Sequence, residues 1–121
     1  MYSVEADGAR RVFVIAAVGE VLASEVRQGA QELKALLQDA APGFAVLADF
    51  RRLEAMQPET AQQIGAVMDQ FAEKEVAMVI RVIPDRYKDV GLNILSQFHY
   101  SPAVEVASVT TLAEAIALDA A

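Results

Sequence analysis

The chain alternates two kinds of segment, and that alternation limits its fold more than any other feature. Arg11–Val18 (RVFVIAAV), Phe44–Asp49 (FAVLAD) and Val76–Ile83 (VAMVIRVI) are short, largely apolar runs with β-branched residues, the pattern of strands covered on both faces. Between them apolar residues recur at helical spacing: Val26, Ala30, Leu33 and Leu37 within Glu25–Gln38, then Ala61, Ile64, Met68 and Phe71 within Glu59–Lys74. Asp85–Phe98 reads as a third helix, with Tyr87, Gly91, Ile94, Leu95 and Phe98 on one side. Val104–Val109 is a shorter strand, and Thr111–Glu114 (TLAE) is a capping box that opens a last helix. At the other end, Tyr2–Ala6 alternates and meets Asp7-Gly8, a hairpin signal.

Punctuation supports these boundaries. Ser24 is the expected N-cap of the first helix, and Pro42-Gly43 closes its exit. Pro58 suits a first helical turn, where its missing N–H costs nothing. Pro84 ends the third run. The order is a β-hairpin followed by α-β-α-β-α-β-α. Such alternation predicts an α/β fold: a mixed, mainly parallel five-stranded sheet with four main helices and crossover connections, its opening strand antiparallel at one edge. With 121 residues and neither internal repeat nor linker, residues 1–121 read as a single domain.

Composition narrows the function class. A net charge of −7 argues against nucleic acid and against an anionic membrane surface. The arginine and lysine groups at Arg10-Arg11, Arg51-Arg52 and Arg81, Arg86 and Lys88 read as solvated surface charge. The apolar runs are too short for a membrane span, and the first residues lack the pattern of a signal peptide. Without cysteine there is neither a disulfide framework nor a thiolate metal site, and a cytoplasmic location is expected.

Residue patterns carry a resemblance as well. VFVIAAVGEVLASEV is similar to the apolar strand, Gly-Glu loop and first helix of the STAS domain, the fold of bacterial anti-sigma-factor antagonists. VLADFRRLEAM resembles that family's strand ending in Asp with a Leu and a Met beyond it, here Asp49, Leu53 and Met56. SPAVEVASVTTLAEAIAL resembles the closing strand and helix, so the likeness runs from about Val4 to Leu118. The chain departs from the family where phosphorylated members carry their acceptor serine. Here the positions read Gln57, Pro58, Glu59, Thr60, and Pro58 stands at the acceptor. Glu59 in the first helical turn is accounted for by the helix dipole; the other reading is a permanent mimic of the phosphorylated state. SpoIIAA-like proteins of the STAS/Sec14 kind also lack the acceptor, and that resemblance implies apolar space at the segment matching GLNILSQFHYSP, able to hold a lipid-like ligand.

The resemblance implies a non-enzymatic regulatory or scaffolding module. It would bind a protein partner through two loops, Gly19, Glu20, Val21 and Leu22 in one, Arg51, Arg52, Glu54, Gln57, Glu59 and Thr60 in the other. The rival is a carrier or sensor of a small apolar ligand, walled by Ile94, Leu95, Phe98 and Tyr100, with His99 or Arg86 at the mouth. Catalytic, metal and cofactor residues are not expected. His99, the only histidine, has no cysteine beside it for zinc and reads as a helix C-terminal residue facing the dipole. Serine occupies no strand-to-helix elbow, and the carboxylates Glu20, Asp49, Glu54, Glu59 and Asp85 read as a solvated rim at one sheet end. Met56, Met68 and Met78 read as core filler. The alanine-rich last helix and the 55% hydrophobic content lead to the expectation of a symmetric homodimer.

Overall fold

A computed structural model describes residues 1–120. Five strands form one sheet in the order β1-β2-β3-β4-β5: Tyr2–Ala6, Val12–Val21, Ala45–Met56, Met78–Val82 and Glu105–Val109. β1 runs antiparallel to β2, and every other neighbour is parallel. The helices are α1 (Ala23–Leu37), α2 (Pro58–Glu73), α3 (Arg86–His99) and α4 (Leu112–Ala120). The expected class and order are therefore present, with β1 at the edge.

The main core lies on the face covered by α1 and α2. Phe13, Ile15 and Ala17 of β2 and Val46, Ala48 and Phe50 of β3 meet Val26, Leu33, Ile64, Val67, Met68 and Phe71 there. Phe13, Phe44 and Phe71 stack edge-on at its centre, with ring centroids 4.9–6.0 Å apart. On the opposite face α4 packs on β3, β4 and β5, with Ala115 against Ile80 and Val82. That close contact with its own sheet accounts for the buried alanine of α4. The expectation of a β2 covered on both faces is corrected: Val12, Val14, Ala16 and Val18 on the α4 side are only half-buried, because α4 packs chiefly on β3, β4 and β5.

Several boundaries differ for local reasons. In the β1–β2 hairpin the left-handed residue is Arg10 (φ 56°) rather than Gly8, and the Asp7 carboxylate accepts from the N–H groups of Arg11 (2.7 Å) and Val12 (3.1 Å). These bonds hold the Asp7 carboxyl below its usual range. α1 is capped at Leu22 rather than Ser24, and the Glu25 carboxylate reaches back to accept from the Leu22 N–H (3.0 Å). At α4 one half of the expected capping box forms: Thr111 Oγ1 accepts from the Glu114 N–H (3.2 Å), while the Glu114 carboxylate accepts from the hydroxyls of Thr110 (3.1 Å) and Thr111 (2.9 Å).

The largest difference is the length of β2 and β3. Gly19, Glu20 and Val21 are strand, not loop, and β3 continues seven residues past Asp49 to Met56. The pairing advances from Ala16 to Val18 on β2 while β3 goes from Asp49 to Arg52, and from Gly19 to Glu20 while β3 goes from Leu53 to Ala55. Each step leaves one extra residue on β3, a bulge. The bulges break the two-residue alternation, so Arg51 and Arg52 both face solvent, as do Glu54 and Ala55, while Phe50 and Leu53 both face inward.

Candidate functional site

The strand ends at which β2 and β3 outrun β4 create the most distinctive surface feature. β4 pairs with β3 only from Ala45 to Asp49, then Pro84 breaks the ladder and the chain turns into α3. The Asp85 carboxylate starts that helix, accepting from the N–H groups of Tyr87 (2.9 Å) and Lys88 (3.3 Å), contacts that hold its pKa down. Between α3 and the outlying part of β3 lies an apolar groove of about 630 Å³. One wall is Leu53, Ala55, Met56 and Gln57 at the end of β3, continuing into Pro58 and Ala61 of α2. The other is Lys88, Gly91, Leu92, Ile94, Leu95 and Phe98 of α3. Its size lies within the range of small-ligand and peptide sites.

α3 does not turn the side that carries Tyr87, Ile94 and Phe98 fully toward the sheet. Leu92 and Ser96 are its buried residues, whereas Tyr87 is 91% exposed and Phe98 81%, with Ile94 also exposed. The cause lies beneath the helix. Arg81 of β4, expected at the surface, is only 2% exposed and points from the sheet toward α3. Its guanidinium donates to Asp89 Oδ1 (3.1 Å), Ser96 Oγ (3.2 Å) and Asn93 Oδ1. Asp89 also accepts from Ser108 Oγ of β5 (2.7 Å). Burial lowers the Arg81 pKa, and the Asp89 carboxylate opposes that shift. Satisfying a buried guanidinium requires the polar face of α3 to turn inward, which sends part of its apolar face outward. An arginine in the apolar run VAMVIRVI, together with Asp89, Asn93 and Ser96 at helical spacing, is the sequence signal that betrays this arrangement.

The expected ligand residues separate. Ile94, Leu95 and Phe98 line the groove, whereas Arg86, His99 and Tyr100 do not. Arg86 is exposed in the first turn of α3. His99 packs across α2, its Nδ1 2.6 Å from Asp69 Oδ1 and its ring against Gly65. Tyr100 lies over the core side of the sheet near Tyr2 and Arg81, and burial raises the pKa of both tyrosines. The charged side chain that does reach the groove is Lys88, whose ammonium donates to Leu53 O (2.8 Å) and lies 3.4 Å from Asp85.

The expected partner residues do cluster at this end of the sheet. Glu20, Leu22, Arg51, Arg52, Glu54, Gln57 and Glu59 are exposed there, and Gly19 is half-buried. Val21 and Thr60 are fully buried and cannot touch a partner. The Thr60 hydroxyl donates to Val21 O (3.1 Å), tying α2 to β2, so it is closed to a kinase in the folded chain. Arg51 is fixed by a two-pronged contact with Asp49 (2.8 and 2.9 Å), which lowers the Asp49 pKa. Arg52 extends beside it on the same exposed stretch. Met56 packs against the main core, as expected, and also forms groove wall. Among the described residues no group of three or more His, Asp or Glu side chains is placed to hold a metal, and no helix is long and apolar enough to cross a membrane.

Comparison with solved structures places this architecture. The fold is similar to that of an uncharacterized protein from the DUF3478 family with a SpoIIAA-like fold from Shewanella loihica PV-4, at a TM-score of 0.73 and 16% identity over 98% of this chain and 91% of that one. It is also similar to the anti-sigma factor antagonist SpoIIAA in its unphosphorylated form (TM-score 0.66, 15% identity, 98% and 96% coverage). An anti-sigma factor antagonist from Mycobacterium paratuberculosis gives a TM-score of 0.61 at 18% identity, covering 100% and 94%. No family model matches the sequence, and no curated protein matches it. The chain therefore has a SpoIIAA-like fold.

Proposed function

We propose that this domain is a non-enzymatic regulatory or scaffolding module that binds a protein partner at the outlying ends of β2 and β3. The observation that carries the reading is the open apolar groove beside that end, with Gln57 and the exposed Phe98 in its wall and the exposed Arg52, Glu54 and Glu59 at neighbouring positions of the chain. Apolar centres with polar rims suit protein association, and two proteins of this fold are named for antagonising anti-sigma factors. The groove wall offers only the Gln57 amide and the engaged Lys88 ammonium as polar side chains. It thus lacks the paired acid and base that proton-transfer chemistry needs. With Pro58 at the acceptor position and Thr60 buried, partner binding is not switched by phosphate at these sites.

The test is site-specific photocrosslinking in the native host, with a photoreactive phenylalanine analogue at Arg52 or Phe98 and a control at Arg10 in the hairpin. The same discrete adduct is expected from the first two positions and none from the third. Adducts from Arg10 alone, or from none of the positions in folded protein, overturn the reading.

A second reading is favoured by the groove volume and its wall of Ile94, Leu95 and Phe98: carriage of a small apolar ligand. Lys88, rather than Arg86 or His99, would then meet the polar head. Native mass spectrometry decides it. A bound mass that disappears in Leu95→Trp supports carriage, and a clean apo mass from several hosts removes it.

A further inference from the structure

We propose that the partner enters as an extended peptide that adds to the free edge of β3 between Leu53 and Gln57, seating alternate apolar side chains against α3 and a carboxylate on Lys88. The inference rests on the protein-binding reading above and specifies the form of the partner.

β3 has twelve residues and β4 only five. Past Asp49, β3 keeps β2 on one side, but among the described residues no strand lies on the other. A strand edge of this kind presents N–H and C=O groups to any backbone laid beside it. Two of its groups are met by side chains: the Arg51 N–H by Asp49 Oδ1 (3.2 Å) and the Leu53 carbonyl by the Lys88 ammonium (2.8 Å). A lysine over an edge carbonyl is a common guard against unwanted pairing. Here the guard is removable, because Lys88 is part-exposed and on a flexible stem.

What faces the edge makes it more than a guarded border. A free edge ordinarily looks onto water, whereas this one looks onto Leu92, Ile94, Leu95 and Phe98 of α3 across the groove. An added strand places every second side chain on one face, so its apolar residues meet that wall while its backbone meets β3. Gly91 leaves space at the middle of the α3 wall, with nothing within 4 Å of where a Cβ would stand. Of the residues lining the groove, Lys88 alone is charged, and it is positive in a chain of net charge −7. When an incoming strand takes the Leu53 carbonyl, the ammonium keeps Asp85 (3.4 Å) on one side and is free to take a carboxylate of the partner, a side chain or a chain terminus, in place of the lost carbonyl.

The test selects peptides from a random-octapeptide phage library on the full chain, then measures the tightest as a synthetic peptide by fluorescence anisotropy. The expected sequence alternates apolar residues around an acidic group. Backbone N-methylation at alternate residues should cost tenfold or more in one phase and less than twofold in the other. Gly91→Leu, which fills the groove, should cost tenfold or more with the melting temperature retained. Amidating the carboxylate should weaken binding about fivefold to the wild type and leave Lys88→Met unaffected. Tolerance of N-methylation in both phases, with Gly91→Leu still blocking, would mean docking by a helix or by side chains alone; it overturns strand addition and leaves the interaction module standing. Peptides indifferent to Gly91→Leu overturn the site. Failure to select any peptide overturns strand addition when crosslinks at Phe98 persist, and overturns both readings when those are absent too.

Discussion

Gly91 offers a sharp test because stability and binding should respond in opposite directions. It lies within α3, where glycine costs about 1 kcal/mol relative to alanine, mainly through backbone entropy. Its φ is not in the left-handed region, and a Cβ there would meet nothing within 4 Å. Neither strain nor a clash therefore offsets the helix gain, and Gly91→Ala should stabilise the fold by about 1 kcal/mol. For a chain of this size that is a rise in melting temperature of roughly 3–5 °C, read by differential scanning calorimetry together with urea unfolding at unchanged m-value. The added methyl narrows the groove, so affinity for any groove occupant should fall. Gly65 is the internal control. A Cβ there would come within 2.6 Å of His99 Nε2, on the ring that pairs with Asp69. Gly65→Ala should therefore destabilise by about 1–3 kcal/mol through overpacking, despite the same gain in helix propensity. If Gly91→Ala lowers the melting temperature, or if both variants shift it in the same direction, the reasoning that distinguishes the two helix faces is wrong.

Three further outcomes follow from the buried and charged groups. Arg81→Met removes the donor shared by Asp89, Asn93 and Ser96 and should cost about 3 kcal/mol in urea unfolding, since a broken buried ion pair leaves its partner uncompensated; a cost below 1 kcal/mol would show that α3 does not depend on this network. Asp7, Glu25, Asp49 and Asp85 all titrate below their ordinary values, chiefly through backbone N–H donors at Asp7, Glu25 and Asp85 and through Arg51 at Asp49. Carboxylates with depressed folded pKa values give stability that is present above about pH 4 and lost as pH falls through the folded values, so the urea midpoint should hold from pH 7 to 5 and drop below 4; a flat midpoint down to pH 3 contradicts this. Tyr2 and Tyr100 have raised values through burial, so their contribution is intact below about pH 10 and declines above it. Alkaline unfolding should coincide with phenolate absorbance, and free titration of Tyr2 and Tyr100 at pH 10 in a folded chain would refute their burial.

Much of the fold was legible because its signals are local. Apolar runs at Arg11–Val18, Phe44–Asp49 and Val76–Ile83, helical spacing from Val26 to Leu37, and the breaks at Pro42, Pro58 and Pro84 depend on neighbours within a few residues. Their alternation then leaves few topologies that satisfy the crossover rule. The exposed rim at Arg51, Arg52, Glu54, Gln57 and Glu59 was legible for the same reason, and so were Ile94, Leu95 and Phe98 as apolar wall.

The site itself was decided by tertiary structure. The sequence DFRRLEAM reads as loop because two bulges destroy its period of two, and only the pairing with β2 keeps it a strand. Whether that strand has a second neighbour depends on where β4 leaves the sheet, a relation between residues more than thirty positions apart. Lys88, read as surface charge, became an edge-capping group because α3 brings it to Leu53, 35 residues earlier. The facing of α3 shows the physical reason most plainly. Its apolar residues alone favoured Tyr87, Ile94 and Phe98 inward, since burial of apolar surface rewards that choice. A single buried guanidinium from β4 reversed it, because leaving Arg81 without partners costs more than leaving Phe98 and Tyr87 in water. Periodicity within one helix records what that helix would bury in isolation; the charge waiting beneath it is a property of the assembled sheet.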